Sequence, residues 1–180
     1  MTDSKADSTS NTDQTRKHHK IWVAAAFLSL VFVLVLLGIR VFQNDQKAIA
    51  FGDQPQDFSL ATFSGETIET QDLRGKIVLI NFWASWCTTC DEEALLLEEA
   101  WQRYQTDGSL PIIFLGVAYM DTEPASLKFL STYGVSYPNG PDLRGLISKI
   151  YQVKAVPETF ILDRTGKIQY IKIGTFSSIN

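Results

Sequence analysis

Cys87 and Cys90 are the only cysteines in the 180 residues, and Thr88 and Thr89 stand between them. A Cys-x-x-Cys pair serves as a redox dithiol, a structural disulfide, part of a metal site or a haem attachment point. A bridge across so few residues removes little entropy from the unfolded chain and makes a poor staple. It supplies only two metal ligands, and the only histidines, His18 and His19, lie far away near the N-terminus. No metal site is therefore expected. Haem attachment needs a histidine directly after the second cysteine, where Asp91 stands. A redox dithiol that needs no cofactor is the leading reading, with a structural disulfide as its rival.

Such a dithiol needs elements to hold it. Val78–Trp83 is a continuous apolar run, as in a strand buried on both faces. After the cysteines, Ala94, Leu95, Leu97 and Trp101 recur at helical spacing as far as Tyr104. The cysteines thus fall at a strand-to-helix turn, with Cys87 near the helix N-terminus. Free backbone N–H groups and the positive end of the helix dipole favour a thiolate there.

Composition narrows the partners. The chain is 45% hydrophobic, and roughly 135 residues beyond the N-terminal segments suffice for one domain with a core. Residues 43–180 hold 11 Lys and Arg against 17 Asp and Glu, a net charge of −6. That argues against nucleic acid and anionic lipid surfaces, and suits neutral or basic partners. No internal repeat is present.

Residues 1–20 read as a disordered tail, polar and ending in the basic cluster Arg16–Lys20. Ile21–Ile39 carries no charge, and Ser29 is its only polar side chain. About 20 such residues cross a bilayer, so residues 21–42 (Ile21–Phe42) are expected to be a transmembrane anchor. The basic cluster places the N-terminus in the cytoplasm, a bias that Arg40 dilutes. A cleaved signal peptide ending near Ala48-Ile49-Ala50 is the rival, but the apolar run is long for one and Arg40–Lys47 is charged. Residues 43–50 are a linker, and residues 51–180 are expected to fold outside the cytoplasm. A reductant placed there needs electrons delivered through the membrane, whereas an oxidant needs only an oxidising partner.

The remaining elements alternate. Phe58, Leu60 and Thr62 mark a short strand, Ser64–Thr67 a turn, and Ile68 the start of a second strand. Asp72–Lys76 is a polar connection, and Gly108-Ser109 closes the cysteine helix. Ile112–Tyr119 is a second buried strand, paired in parallel through that helix. Glu123–Tyr133 is a helix closed by Gly134, Tyr137–Pro141 a rigid polar corner, and Leu143–Tyr151 another helix. Thr159–Leu162 and Ile168–Ile173 flank an Asp-x-x-Gly turn and form an antiparallel hairpin. The fold class is α/β, a central mixed sheet flanked by helices.

Phe82-Trp83-Ala84-Ser85-Trp86-Cys87-x-x-Cys90, with Val156-Pro157-Glu158-Thr159-Phe160-Ile161-Leu162-Asp163 and Gly166-Lys167-Ile168, resembles the thioredoxin superfamily. The match runs from about Phe51 to Gly174. Gly52-x-x-Pro55-x-Asp57-Phe58 and the segment between Tyr119 and Asp142 are similar to its membrane-anchored cytochrome c maturation branch, the TlpA-, ResA- and DsbE-like redoxins. The resemblance implies that Cys87 attacks, Cys90 resolves, and the pair forms a redox-active disulfide. It implies a cis-proline at Pro157, with Trp86, Val156 and Glu158 beside the bound substrate. It also implies an active-site glutamate at Glu93, one turn after Cys90 and placed to deprotonate it. The plainer role for Glu93 is helix N-terminal charge shared with Asp91 and Glu92. Thioredoxins proper carry a strand aspartate where this chain has Asn81.

Thr88 and Thr89 replace the usual proline of the dipeptide. Asp91 and Glu92 stand where basic residues often occur, so the Cys87 pKa is expected to be less depressed than in relatives with basic flanks. The family has one more helix after the last strand, which the residues to Asn180 do not include; it is lost, or the sequence is truncated.

The resemblance implies a protein-disulfide oxidoreductase that reduces exported proteins such as apocytochrome c, fed by a membrane thiol–disulfide donor. The same fold run in reverse would be a disulfide-forming oxidant. A peroxiredoxin-like peroxidase needs Pro and Thr or Ser just before the attacking cysteine, and Phe82–Trp86 lacks the Pro. A copper or assembly chaperone would want a histidine ligand in the globular domain, which has none.

Overall fold

The computed structural model describes residues 22, 25–37, 48–108 and 110–176. The tail at 1–20 and residues 43–47 of the linker lie outside them, as do parts of the expected anchor. Residues 25–37 form a helix (α1) whose side chains are exposed. Among the described residues no helix is long and apolar enough to cross a membrane.

From residue 48 the chain forms a separate compact unit. Its order is β1 (Ser59–Ala61), β2 (Thr67–Glu69), a 3-10 turn (Thr70–Leu73), β3 (Ile77–Trp83), α2 (Thr88–Asp107) and β4 (Ile112–Tyr119). There follow α3 (Glu123–Tyr133), β5 (Asn139–Asp142), α4 (Leu146–Ile150), β6 (Glu158–Leu162) and β7 (Ile168–Ile173). β1 and β2 make a small antiparallel ribbon. The other strands form one mixed sheet in the order β5-β4-β3-β6-β7. β4 runs parallel to β3 and β5, while β6 is antiparallel to both β3 and β7.

β3 explains the apolar run. Val78, Ile80 and Phe82 point into one core with Phe58, Leu60, Leu115, Val117 and Phe160. Leu79 and Trp83 point to the opposite face, toward Leu97 and Ala100 or toward Ala94 of α2. With both faces covered, alternation has no solvent side to record. Phe82 and Phe160 are fully buried and meet edge to face at 5.8 Å. Each ring contributes roughly 1.5–3 kcal/mol by leaving water.

The corner expected at Tyr137–Pro141 is instead the approach to an edge strand. Asn139–Asp142 pairs in parallel with Gly116–Tyr119. Asn-Gly-Pro reads locally as a turn, but β4 supplies the pairing, and an edge strand tolerates Pro141. Glycine is required at two points. A Cβ on Gly140 would run into the Ala61 carbonyl and the Leu60 side chain. One on Gly116 would occupy the space of the Asn139 amide, which accepts a 2.8 Å hydrogen bond from Trp83 Nε1. The helix expected over Leu143–Tyr151 is shorter, because the Asp142 carboxylate collects the N–H groups of Leu146, Ile147 and Ser148 and starts α4 there.

Candidate active site

Cys87 is the N-cap of α2. Its backbone is extended (φ −95°, ψ 106°), and its sulfur accepts from the Cys90 N–H at 3.2 Å. A serine or aspartate usually fills this position; a sulfur there takes up an otherwise unpaired helix N–H and the field of the helix start. Both effects favour the thiolate when the pair is reduced. In this structure Cys87 and Cys90 are joined as a disulfide, with Cα atoms 5.3 Å apart. Both cysteines are buried, Cys87 at 7% exposure and Cys90 at 2%, so Cys87 is the less covered of the two.

The loop ahead of the cysteines is pinned by a residue that sequence reasoning passed over. The buried Asp121 carboxylate accepts from Ser85 N at 2.7 Å and Ser85 Oγ at 3.0 Å. It also accepts from Thr122 N and Ser126 Oγ, so one acid ties the Cys-x-x-Cys loop to the start of α3. A polar residue directly after the apolar run of β4 was the available signal. Trp86, next to Cys87, is 59% exposed.

Across from Cys87 runs the loop into β6. The Val156–Pro157 peptide is cis. The Val156 carbonyl oxygen lies 3.5 Å from Cys87 Sγ, within reach of a thiol S–H in the reduced state. Val156 is half-buried, while Pro157 and Glu158 are buried. The Glu158 carboxylate accepts from Lys154 N at 3.2 Å, and burial holds its pKa above the usual carboxylate range. Glu158 is therefore engaged within its own loop, whereas Trp86 is open to solvent.

Glu93 lies behind the cysteines on the buried face of α2, with Cys90, Ala94 and Leu97. Only 1% of it is exposed. Asn81 Nδ2 donates to Glu93 Oε2 at 2.9 Å and to Thr159 Oγ1 at 3.0 Å. Phe176 N donates to Glu93 Oε1 at 3.1 Å. Burial raises the Glu93 pKa, and the bonds from Asn81 and Phe176 offset part of the rise, with the Lys172 charge adding a smaller opposing effect. A buried acid one turn from the inner cysteine, with its pKa pushed above the usual carboxylate range, is a candidate proton acceptor for that cysteine.

The structure thus gathers Cys87, Cys90, Trp86, Val156 and Pro157 at the ends of β3 and β6, with Glu93 and its Asn81 partner beneath. A cleft of about 440 Å³, lined by Leu97, Ala100, Tyr104, Phe114, Tyr170 and Phe176 among others, has neither cysteine in its wall.

The AhpC/TSA family matches residues 51–171. The thioredoxin-like protein YneN of Bacillus subtilis (strain 168) is 34% identical, over 88% of this chain and 92% of that protein. The thiol-disulfide oxidoreductase ResA of Geobacillus thermodenitrificans (strain NG80-2) is 30% identical, over 82% of this chain and 85% of its own length. Among solved structures, a thiol:disulfide interchange protein of the thioredoxin family from Chlorobium tepidum TLS superposes with a TM-score of 0.61 at 26% identity. That match covers 72% of this chain and 91% of the other. The Cys-x-x-Cys at a helix start, the cis-proline facing it and these likenesses agree: the chain belongs to the AhpC/TSA family and, within it, to the thioredoxin-like thiol–disulfide oxidoreductases of the ResA and DsbE type.

Proposed function

We propose that this oxidoreductase is a membrane-tethered reductant working outside the cytoplasm, on disulfides of exported proteins such as apocytochrome c. The observation that carries the reading is the pairing of an N-capping Cys87 with a more deeply buried Cys90 that has an acid of raised pKa one turn behind it. The Cys87 thiolate attacks one sulfur of the client disulfide, and the other client sulfur leaves as a thiolate and takes up a proton. The client backbone lies against Val156–Pro157, with Trp86 at its side, while Glu158 shapes that loop from within. Glu93 accepts the Cys90 proton. The Cys90 thiolate then attacks Cys87 Sγ, and the second client sulfur leaves and is protonated. Two electrons and two protons have passed to the client, and the Cys87–Cys90 disulfide remains. A membrane thiol–disulfide donor re-reduces it.

The uncharged apolar run Ile21–Ile39 behind the basic cluster Arg16–Lys20 supports an anchor with a cytoplasmic N-terminus, and a dithiol on the far side of it would draw its electrons from such a donor. A membrane-impermeant maleimide added to intact spheroplasts is expected to label reduced Cys87; protection until lysis would place the domain inside.

The activity is tested with the reduced full-length protein and an oxidised Cys-x-x-Cys-His peptide. The reading expects the peptide dithiol and the Cys87–Cys90 disulfide to appear in equal amounts. Oxidation of the reduced peptide by the disulfide form, with no reaction in the forward direction, would make the protein an oxidant.

A further inference from the structure

The end of the sheet that carries Cys87 also displays four large apolar side chains to solvent: Trp86, Met120, Leu143 and Leu146. The last three are 53%, 66% and 62% exposed. They lie on neighbouring loops at the C-terminal ends of β3, β4 and β5, and hydrogen bonds tie those loops together. Ser85, beside Trp86, is bonded to Asp121, beside Met120. Met120 N donates to the Asp142 carbonyl, beside Leu143, at 3.3 Å. A Cβ on Gly145, beside Leu146, would stand 3.1 Å from Met120 Cε. Contiguous exposed apolar groups of this size mark contact sites more often than chance exposure.

This surface is built. Asp142 is buried, and its carboxylate accepts from the N–H groups of Leu146, Ile147 and Ser148 and from Ser148 Oγ. Those bonds hold the Leu143–Leu146 turn in one shape at the cost of four hydrogen-bond donors that water could otherwise satisfy. Met120 adopts a left-handed backbone (φ 46°), sparsely populated by non-glycine residues and kept only where the surroundings enforce it. Two leucines and a methionine are thus presented on a fixed frame, at the C-terminal ends of β4 and β5, beside the loop that carries the reactive cysteine. Thiol–disulfide exchange brings a client sulfur onto Cys87, and therefore client chain over Trp86. The loop that carries Met120 is tied to the loop that carries Trp86 through Ser85 and Asp121, so the apolar side chains stand on the neighbouring loops.

We infer that Met120, Leu143 and Leu146, continuing from Trp86, form a recognition surface for apolar side chains in the client segment that flanks the cysteine under attack. The inference rests on the proposed reduction of protein disulfides and names the feature of the client that is read. A client whose flank is apolar gains buried area on this frame without ordering a loop first. A small disulfide such as glutathione disulfide reaches Cys87 without touching the leucines.

The test compares two oxidised peptides with the reduced full-length protein, one with leucines and one with serines flanking the disulfide, and uses glutathione disulfide as a third substrate. Leu143→Ser/Leu146→Ser is the variant, both side chains being exposed and outside the exchange chemistry. The wild type is expected to reduce the leucine peptide about tenfold faster in kcat/KM than the serine peptide. The variant is expected to lose that preference while keeping its rate on glutathione disulfide and its reduction potential. A wild type that treats the two peptides alike overturns the inference, as does a variant that slows equally on all three substrates. A variant that turns a dimer into a monomer in sedimentation, with peptide rates unchanged, also overturns it, by assigning the surface to a second copy. If the wild type reduces no substrate, the reductant reading falls first and the inference with it.

Discussion

Glu93→Gln isolates the proton-transfer role. Both partners of the Glu93 carboxylate are donors, Asn81 Nδ2 and Phe176 N. An amide offers one carbonyl and one NH2, so a donor would face a donor unless Asn81 turns its amide over. If it does not, one buried donor is left unpaired, at about 1–3 kcal/mol. If it does, Thr159 Oγ1 can donate to the turned amide and the cost is smaller. Stability also changes with pH. The folded pKa of Glu93 lies above its ordinary value of 4.5, so the folded state holds this proton more tightly than the unfolded chain. Wild-type stability attributable to Glu93 is therefore full below about pH 4.5 and declines as pH rises to the folded pKa. The decline is about 1.4 kcal/mol for each pH unit between the unfolded and the folded pKa. Glu93→Gln removes that slope.

The kinetic consequence of Glu93→Gln separates a base from a structural acid. In the proposed mechanism, attack by Cys87 does not need Glu93, while release through Cys90 does. General-base catalysis typically contributes about 10²–10⁴-fold, so the resolving step is expected to slow by at least the lower figure. In a single turnover with a peptide disulfide, quenched by alkylation and read by mass spectrometry, the Cys87 mixed disulfide is expected to accumulate. The wild-type resolving rate is expected to show an inflection above the usual carboxylate range that the variant lacks. An unchanged resolving rate with an unchanged pH profile would refute the role and leave Glu93 as a buried partner of Asn81.

Asp91→Asn together with Glu92→Gln removes two anions from the start of α2 and is expected to lower the Cys87 pKa, followed by thiolate absorbance of the reduced protein. An unchanged or higher value would contradict that electrostatic account. Asn139→Ala removes the acceptor of the buried Trp83 Nε1–H. It is expected to destabilise the domain by about 1–3 kcal/mol in urea unfolding, and a neutral effect would mean that water replaces the amide. Gly140→Ala drives a methyl group into the Ala61 carbonyl and Leu60, with an expected loss of about 1–3 kcal/mol or more, and wild-type stability would show that β1 can move aside.

Much of this architecture is readable along the chain because its signals are local. The run Val78–Trp83, the 3–4 spacing after Cys90 and the Asp-x-x-Gly hairpin each specify an element without outside help. What is unreadable depends on partners distant in sequence. Asn139-Gly140-Pro141 has turn chemistry, and only the open edge of β4 makes it a strand. Leu95 fits the helical spacing but is exposed, because the sheet covers only the stripe through Cys90, Glu93, Ala94 and Leu97. Asn81 and Glu93 each stand out in the sequence, yet their bond spans from β3 to α2, and no pattern in the chain announces the Phe176 N–H as the second donor. Asp121 shows how a residue remote from the cysteines in sequence comes to fix their loop.

The reduction potential of the Cys87–Cys90 couple, equilibrated against glutathione or thioredoxin in the intact protein, tests the central claim most directly. A dedicated reductant fed through the membrane is expected to lie near the thioredoxin value of about −270 mV or below. A potential near −120 mV would mark a disulfide-forming oxidant and contradict the account.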